Sequence, residues 1–146
     1  MQIEIKIDPN CKETKIIILA DKMTDEVNEI AKKLSKKSPQ IIVCMKDDTV
    51  KILDQANIFR AYSADKKVFA ATNSGEYIVR LRLFELEERL DKNDFVRISN
   101  SEIINIKKVK NFDLSFAGTI CVSLLDGTVT YVSRRYVTKI KQLLGI

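Results

Sequence analysis

The chain has no histidine and no tryptophan, and only four glycines, two prolines and three cysteines in 146 residues. Without histidine, the commonest general base, the usual hydrolase triads and most metal sites fall away together. The few glycines form neither a Walker phosphate loop nor a dinucleotide-binding pattern, and the acidic residues fall into no recognisable metal or glycosidase constellation. These absences point away from an enzyme and toward a protein that needs no cofactor, no metal and no small-molecule substrate. Cys11, Cys44 and Cys121 are odd in number, widely spaced and without a Cys-x-x-Cys pair. That pattern argues against a disulfide framework or a zinc site and for buried free thiols.

Long hydrophobic runs are also missing. No apolar stretch approaches the roughly 20 residues that cross a bilayer, and Met1 to Ile7 alternates apolar and charged or polar residues, unlike the apolar core of a signal peptide. A cytoplasmic protein is expected. What is present is a normal apolar fraction of 45% and a charged fraction of 31%, enough for a packed core with a solvated surface.

The net charge of +5 is unevenly placed. Residues 1–96 carry 17 Lys/Arg against 17 Asp/Glu, whereas residues 97–146 carry 8 against 3. A basic surface beside neutral surroundings favours a polyanion, and nucleic acid comes ahead of anionic lipid because no basic amphipathic lipid-binding helix is evident. A basic surface kept for solubility is the plainer alternative.

The periodicity predicts two strands over residues 2–7 and 15–20, joined by Asp8-Pro9-Asn10, then a helix from Thr24 with Val27, Ile30, Ala31 and Leu34 on one face. Ser38-Pro39 closes it. This β-β-α element, residues 1–39, cannot bury its own apolar faces and needs a partner. From residue 40 to 146 the pattern is that of short strands divided by turn signals. Strands are expected over 41–45, 50–53, 58–62, 68–72, 77–81, 95–98, 103–106, 109–114, 119–124 and 129–132. A short helix carries Leu83, Leu86 and Leu90, and a last helix runs from a Ser133 cap to Gly145. Asp126-Gly127 predicts a two-residue type I′ hairpin turn.

The strongest constellation lies between Phe95 and Tyr136: Phe-Val-Arg, then Ile-Ser-Asn-Ser-Glu-Ile-Ile-Asn-Ile-Lys-Lys-Val, then Leu125-Asp126-Gly127 and Val132-Ser133-Arg134-Arg135-Tyr136. An aromatic-x-Arg stretch, a Ser-x-x-x-Asn segment, a Lys-rich strand start, an Asp-Gly hairpin and a closing Ser-Arg-Arg-Tyr occur in that order. This set resembles the LytTR (LytR/AlgR-type) family, over about residues 40–146. The resemblance implies a mainly β fold of antiparallel sheets with short helices. It also implies a bacterial transcription regulator that reads duplex DNA through loops in successive major grooves, usually on direct repeats, unlike a helix-turn-helix protein.

The same resemblance carries contact positions over. Asn100 stands where relatives present a base- or backbone-contacting side chain, and its amide suits adenine or phosphate; the alternative is a turn residue bonding its own backbone. Arg135 matches an arginine that the family places in a groove, where a guanidinium pairs with guanine or phosphate. Lys66 and Lys67 occupy a hairpin tip where relatives often carry a basic pair, and as flexible point charges they suit phosphate. Ser99 stands where histidine is common, so a relative's operator does not transfer. Arg97, Lys107, Lys108, Lys110, Arg134 and Lys139 are candidates for backbone anchoring. Ser101 and Asn105 suit hydrogen bonds that hold the loop.

The 39 residues ahead of this unit are too few for the receiver domain that many family members carry, so phosphorylation control is not expected. They are instead a candidate self-association element, which makes a homodimer the expected state. Stand-alone relatives often act with a small membrane protein encoded beside them, a further partner that the resemblance allows. The rival reading from another class is a non-catalytic β module that binds an acidic protein. Single-stranded nucleic acid fits less well, because only 7% of residues are aromatic and Phe95, Phe112 and Tyr131 sit where strands would bury them.

Overall fold

The computed structural model describes residues 1–35 and 41–146, with the side chain of Ser35 left out. It divides into two compact units, Met1–Pro39 and Gln40–Ile146. The predicted helix end at Ser38-Pro39 lies outside the described residues.

In the first unit, helix α1 (Asp25–Ser35) forms as the spacing predicts, with Asp25 and Glu26 in its first turn and Lys32 and Lys33 in its last. Those charges oppose the helix dipole at each end. Thr24 Oγ1 accepts from the Val27 amide at 3.3 Å, a cap that the periodicity alone does not single out. Residues 2–7 and 15–20 precede α1 in the expected order, and a turn at Asp8 joins them, closed by the Cys11 amide on the Asp8 carbonyl at 3.1 Å. Among the described residues neither segment enters a ladder. A strand is completed only by a neighbour, and here the isoleucines of both segments stay exposed. Cys11 is exposed rather than buried, whereas Cys44 and Cys121 are buried, and burial pushes the Cys44 thiol up from its ordinary value.

In the second unit, β1 (Ile42–Lys46), β2 (Thr49–Leu53), β3 (Ile58–Ala64), β4 (Lys67–Thr72), β5 (Gly75–Val79), β6 (Phe95–Ser99) and β7 (Glu102–Asn105) form one sheet in the order β2-β1-β5-β4-β3-β7-β6. Every recorded pairing in it is antiparallel. A second sheet, β10-β9-β8, comprises β8 (Val109–Asp113), β9 (Ile120–Leu124) and β10 (Val129–Val132). Helix α2 (Leu83–Arg89) lies between β5 and β6, and α3 (Arg134–Leu144) closes the chain.

The period-two alternation of the central strands explains the two cores. In β7, Ile103 belongs to the first cluster and Ile104 to the second; in β3, Ile58 and Phe59 likewise face opposite clusters, and a bulge between Ile58 and Arg60 returns Ala61 to the side of Ile58. The first cluster packs Ile42, Tyr77 and Val79 against Leu83, Leu86 and Leu90 of the α2 region. The second packs Val96, Ile98 and Ile104 against Ile120, Val122 and Leu124 of the small sheet and Ile140 of α3. Strand β7 is buried along its whole length because the sheet is covered on both faces there.

Three local features differ from the sequence reading. Only Gly127 takes positive φ at the Asp126-Gly127 turn, +89°, and the Gly127 amide donates to the Leu124 carbonyl at 3.0 Å. This is a longer connection with a left-handed glycine, rather than a type I′ turn. The two-residue loop with positive φ at both positions is instead Asp65-Lys66, at +50° and +63°, between paired Ala64 and Lys67. The strand expected at 77–81 begins and ends two residues earlier, and Tyr131, expected to be buried, is 52% exposed with its ring edge-on to Phe116.

Candidate functional site

The turn Ser99-Asn100-Ser101 joins β6 to β7 and is held from below by Arg97. The Arg97 guanidinium donates to the carbonyls of Ser99 at 2.7 Å and Asn100 at 2.6 Å, and its Nη1 lies 3.5 Å from Glu87 of α2. Its side chain is only 14% exposed, so its charge is spent on shaping the turn. The Ser101 amide donates to Ser99 Oγ at 3.2 Å, and the two hydroxyls lie 3.3 Å apart. The outcome is a rigid turn that presents Asn100 to solvent.

Two further elements reach this turn. The Ser63 amide of β3 donates to the Ser101 carbonyl at 2.9 Å, which ties the turn to the strand leading into Asp65-Lys66. The Ser133 amide donates to the Ile98 carbonyl at 2.9 Å, and the Tyr136 hydroxyl reaches Asn100 Oδ1 at 3.3 Å. These bonds fix the first turn of α3 beside the β6–β7 turn. Ser133 stands at the helix N-cap as predicted, yet its hydroxyl makes no cap bond. Its main-chain contact with β6 does the positioning.

Lys66, Asn100, Arg134 and Arg135 are thereby brought to one edge of the second unit, all exposed, and Ser99 is half-buried within the turn. Lys67 is exposed at the start of β4. The Arg134 guanidinium passes over Gly118, where an added Cβ would sit 3.4 Å from Nε. Lys139 follows Arg135 by four residues on α3, so both lie on one exposed helix face.

Lys107 and Lys108 are not gathered there. They follow β7 at the end opposite Asn100, and the four residues of β7 separate the two ends by about 13 Å. Lys107 Nζ lies 3.3 Å from Asp94, and Lys108 Nζ lies 5.2 Å from the Phe59 ring centroid. Lys110 is exposed on β8. Asn105 is fully buried, donating to the Ile58 carbonyl at 2.9 Å and accepting from the Lys107 amide at 3.0 Å. It has the structural role its position in the motif suggested.

Sequence reasoning missed three contributors. Arg80 and Arg82 are exposed beside Lys66 and Lys67 along one shallow groove, and only the β4–β5 pairing brings them together. The Tyr136 tether to Asn100 is invisible without the α3 docking. The third is Glu102, which accepts from Arg60 at 3.1 Å and from the Thr130 hydroxyl at 2.7 Å and so links β7, β3 and β10. Arg60 also stacks 4.3 Å from the Tyr62 ring centroid. Tyr62 donates to Glu76 at 2.6 Å; burial first, and this acceptor second, push its hydroxyl up to about 12. Among the described residues no group of His, Cys, Asp and Glu side chains is arranged to hold a metal ion.

A family model described as the LytTr DNA-binding domain matches residues 48–145. Uncharacterized HTH-type transcriptional regulators of Staphylococcus aureus strains NCTC 8325 and COL are each 33% identical over 147 residues, covering 100% of this chain and 99% of the relative. Their description as HTH-type has no counterpart among the described residues, where strands separate each helix from the next. A solved LytTr DNA-binding domain of a putative methyl-accepting/DNA response regulator from Bacillus cereus superposes with a TM-score of 0.71 at 22% identity, covering 75% of this chain and 100% of that one. It shares the fold.

Proposed function

The chain belongs to the LytTR family of DNA-binding domains, and from that premise we propose that it is a DNA-binding transcription regulator that reads duplex DNA with the edge formed by Lys66, Asn100, Arg134 and Arg135. The observation that carries this reading is the Arg97 clamp. A largely buried guanidinium that donates to two consecutive carbonyls locks the Ser99-Asn100-Ser101 turn and so fixes the exposed Asn100. Fixed amides and guanidinium groups suit base edges in a major groove, because two parallel hydrogen bonds discriminate only when donor and acceptor are held in place.

Asn100 and Arg135 are assigned to base edges, Lys66, Lys67, Arg134 and Lys139 to phosphates, and Arg97 to positioning. Ser99 shapes the turn rather than reading sequence. Lys107 and Lys108, at the other end of β7, add general positive potential. Loops of this kind entering successive grooves suit half-sites repeated in the same direction, one helical turn apart, and the protein works in the cytosol without a catalytic step.

Selection from random duplex DNA, with single-stranded DNA and RNA as competitors, tests the reading. Recovery of a short motif repeated about one helical turn apart supports it. Failure to enrich any duplex at low salt overturns it and leaves the basic edge to an acidic protein.

A further inference from the structure

The first unit carries two apolar segments that pair with no strand among the described residues. Ile3, Ile5 and Ile7 are each more than 80% exposed and Leu19 is 91% exposed, while Ile16 and Ile17 are about two-thirds exposed. Their backbone groups enter no ladder among the described residues. Val27 and Ile30 of α1 are half-buried, and Leu34 extends the same helical stripe into solvent.

The two segments share an unusual property: each is complementary to itself. Set antiparallel about a twofold axis through Ile5, residues 2–8 place Glu4 opposite Lys6 of a second copy, and the symmetry makes this pair twice. Ile3 then faces Ile7, and Ile5 faces its own equivalent. Shifting the register two residues one way sets Glu4 against Glu4; shifting it the other way sets Lys6 against Lys6 and Glu4 against Asp8. A one-residue shift puts isoleucine against charge, and a parallel in-register pair sets every charge against its like. Residues 15–21 behave the same way about Ile18: Lys15 meets Asp21, Ile16 meets Ala20, and Ile17 meets Leu19. Opposite charges directly across a strand pair attract and like charges repel, so the pattern selects one arrangement.

We propose that residues 1–35 form a twofold interface with a second copy of this chain, in which residues 2–8 of the two copies pair antiparallel through Ile5, with Glu4 and Lys6 joined across the axis. The pairing supplies the ladder that residues 2–8 lack and sets Ile3, Ile5 and Ile7 of the two copies side by side on one face. It also places two DNA-binding units in one particle, which raises the effective concentration of the second unit once the first is bound. The interface is independent of the DNA reading, because its test contains no DNA.

The test is sedimentation equilibrium of the full chain at low salt, with Glu4→Lys, Lys6→Glu and the Glu4→Lys/Lys6→Glu double variant. The wild type sediments as a dimer. Each single variant turns two attractive pairs into two repulsive ones and raises the dimer dissociation constant at least about tenfold, and the double variant, with both charges exchanged, returns close to the wild type. Circular dichroism matching the wild type shows that the second unit stays folded in each variant. A wild type that is monomeric at every concentration reached overturns the proposal. So does a double variant as weak as the singles, which would mean that Glu4 and Lys6 do not face each other.

Discussion

The guanidinium of Arg97 donates to the main-chain carbonyl of Asn100 at 2.6 Å, so a largely buried charge in the β6–β7 hairpin sets the direction of the exposed Asn100 at its tip. On this reading Arg97 belongs to the motif because it positions the turn. Arg97→Ala removes both carbonyl bonds and leaves Glu87 without its partner. It should cost about 1–3 kcal/mol of stability and weaken duplex binding beyond that of Arg97→Lys. Thermal melts and binding titrations on the same preparations check both effects.

The Asp65-Lys66 turn holds two non-glycine residues at positive φ. Relieving one of them with Lys66→Gly should raise stability by about 1 kcal/mol. The same variant should lose affinity about equally for all duplexes and lower the salt slope by about one unit, as expected of a lost phosphate contact. A stability gain coupled to a binding loss separates the functional role of this tip from a structural one.

Glu102 is a buried carboxylate whose partners come from two other strands. Glu102→Ala strands Arg60 and the Thr130 hydroxyl together. The expected loss is on the order of 2–3 kcal/mol, less than for a fully enclosed pair because the Arg60 side chain is 22% exposed. Denaturant unfolding measures it.

Tyr62 gives a pH signature. Its hydroxyl titrates near 12 in the folded chain, above the ordinary value of 10.0, so the neutral form is favoured by folding. Its contribution to stability is complete below pH 10 and is lost as pH rises through about 12. Tyr62→Phe should flatten the alkaline decline in that window, as read by unfolding at stepped pH.

Much of the fold was legible because the second unit obeys simple periodicities. All ten expected strands of this unit occur, most within one or two residues of their predicted ends, since alternating side chains and flanking turn residues carry that information locally. The misses have specific causes. The Asp126-Gly127 dipeptide suggested a type I′ turn, but the pairing of Val129 with Ser123 leaves five residues between the paired positions rather than two, and only the glycine turns left-handed. The actual two-residue turn, Asp65-Lys66, has no glycine and gave no such signal. The segments 2–7 and 15–20 read as strands, yet a strand is completed only by a neighbour, and among the described residues none pairs with either.

The candidate site was legible in part. Asn100, Arg134 and Arg135 were marked by a motif, and their exposure at one edge agrees with surface use. The inward role of Arg97, the Tyr136 tether and the separation of Lys107 and Lys108 from the edge all depend on register and docking, which sequence spacing does not encode. An exposed lysine on a strand start reads the same whichever end of the strand faces the ligand.

The most direct test compares affinities for the selected duplex at one fixed salt concentration across three proteins: wild type, Asn100→Ala/Arg135→Ala, and Lys107→Ala/Lys108→Ala. Each base-reading contact is worth about 1–3 kcal/mol, so the first double variant should lose about 30-fold or more together with its preference over mismatched duplexes. The lysine pair, about 13 Å away at the far end of β7, should lose only a few-fold and keep that preference. The reverse ranking, with preference lost in the lysine variant and kept in the other, would contradict the assignment of this edge as the surface that reads DNA.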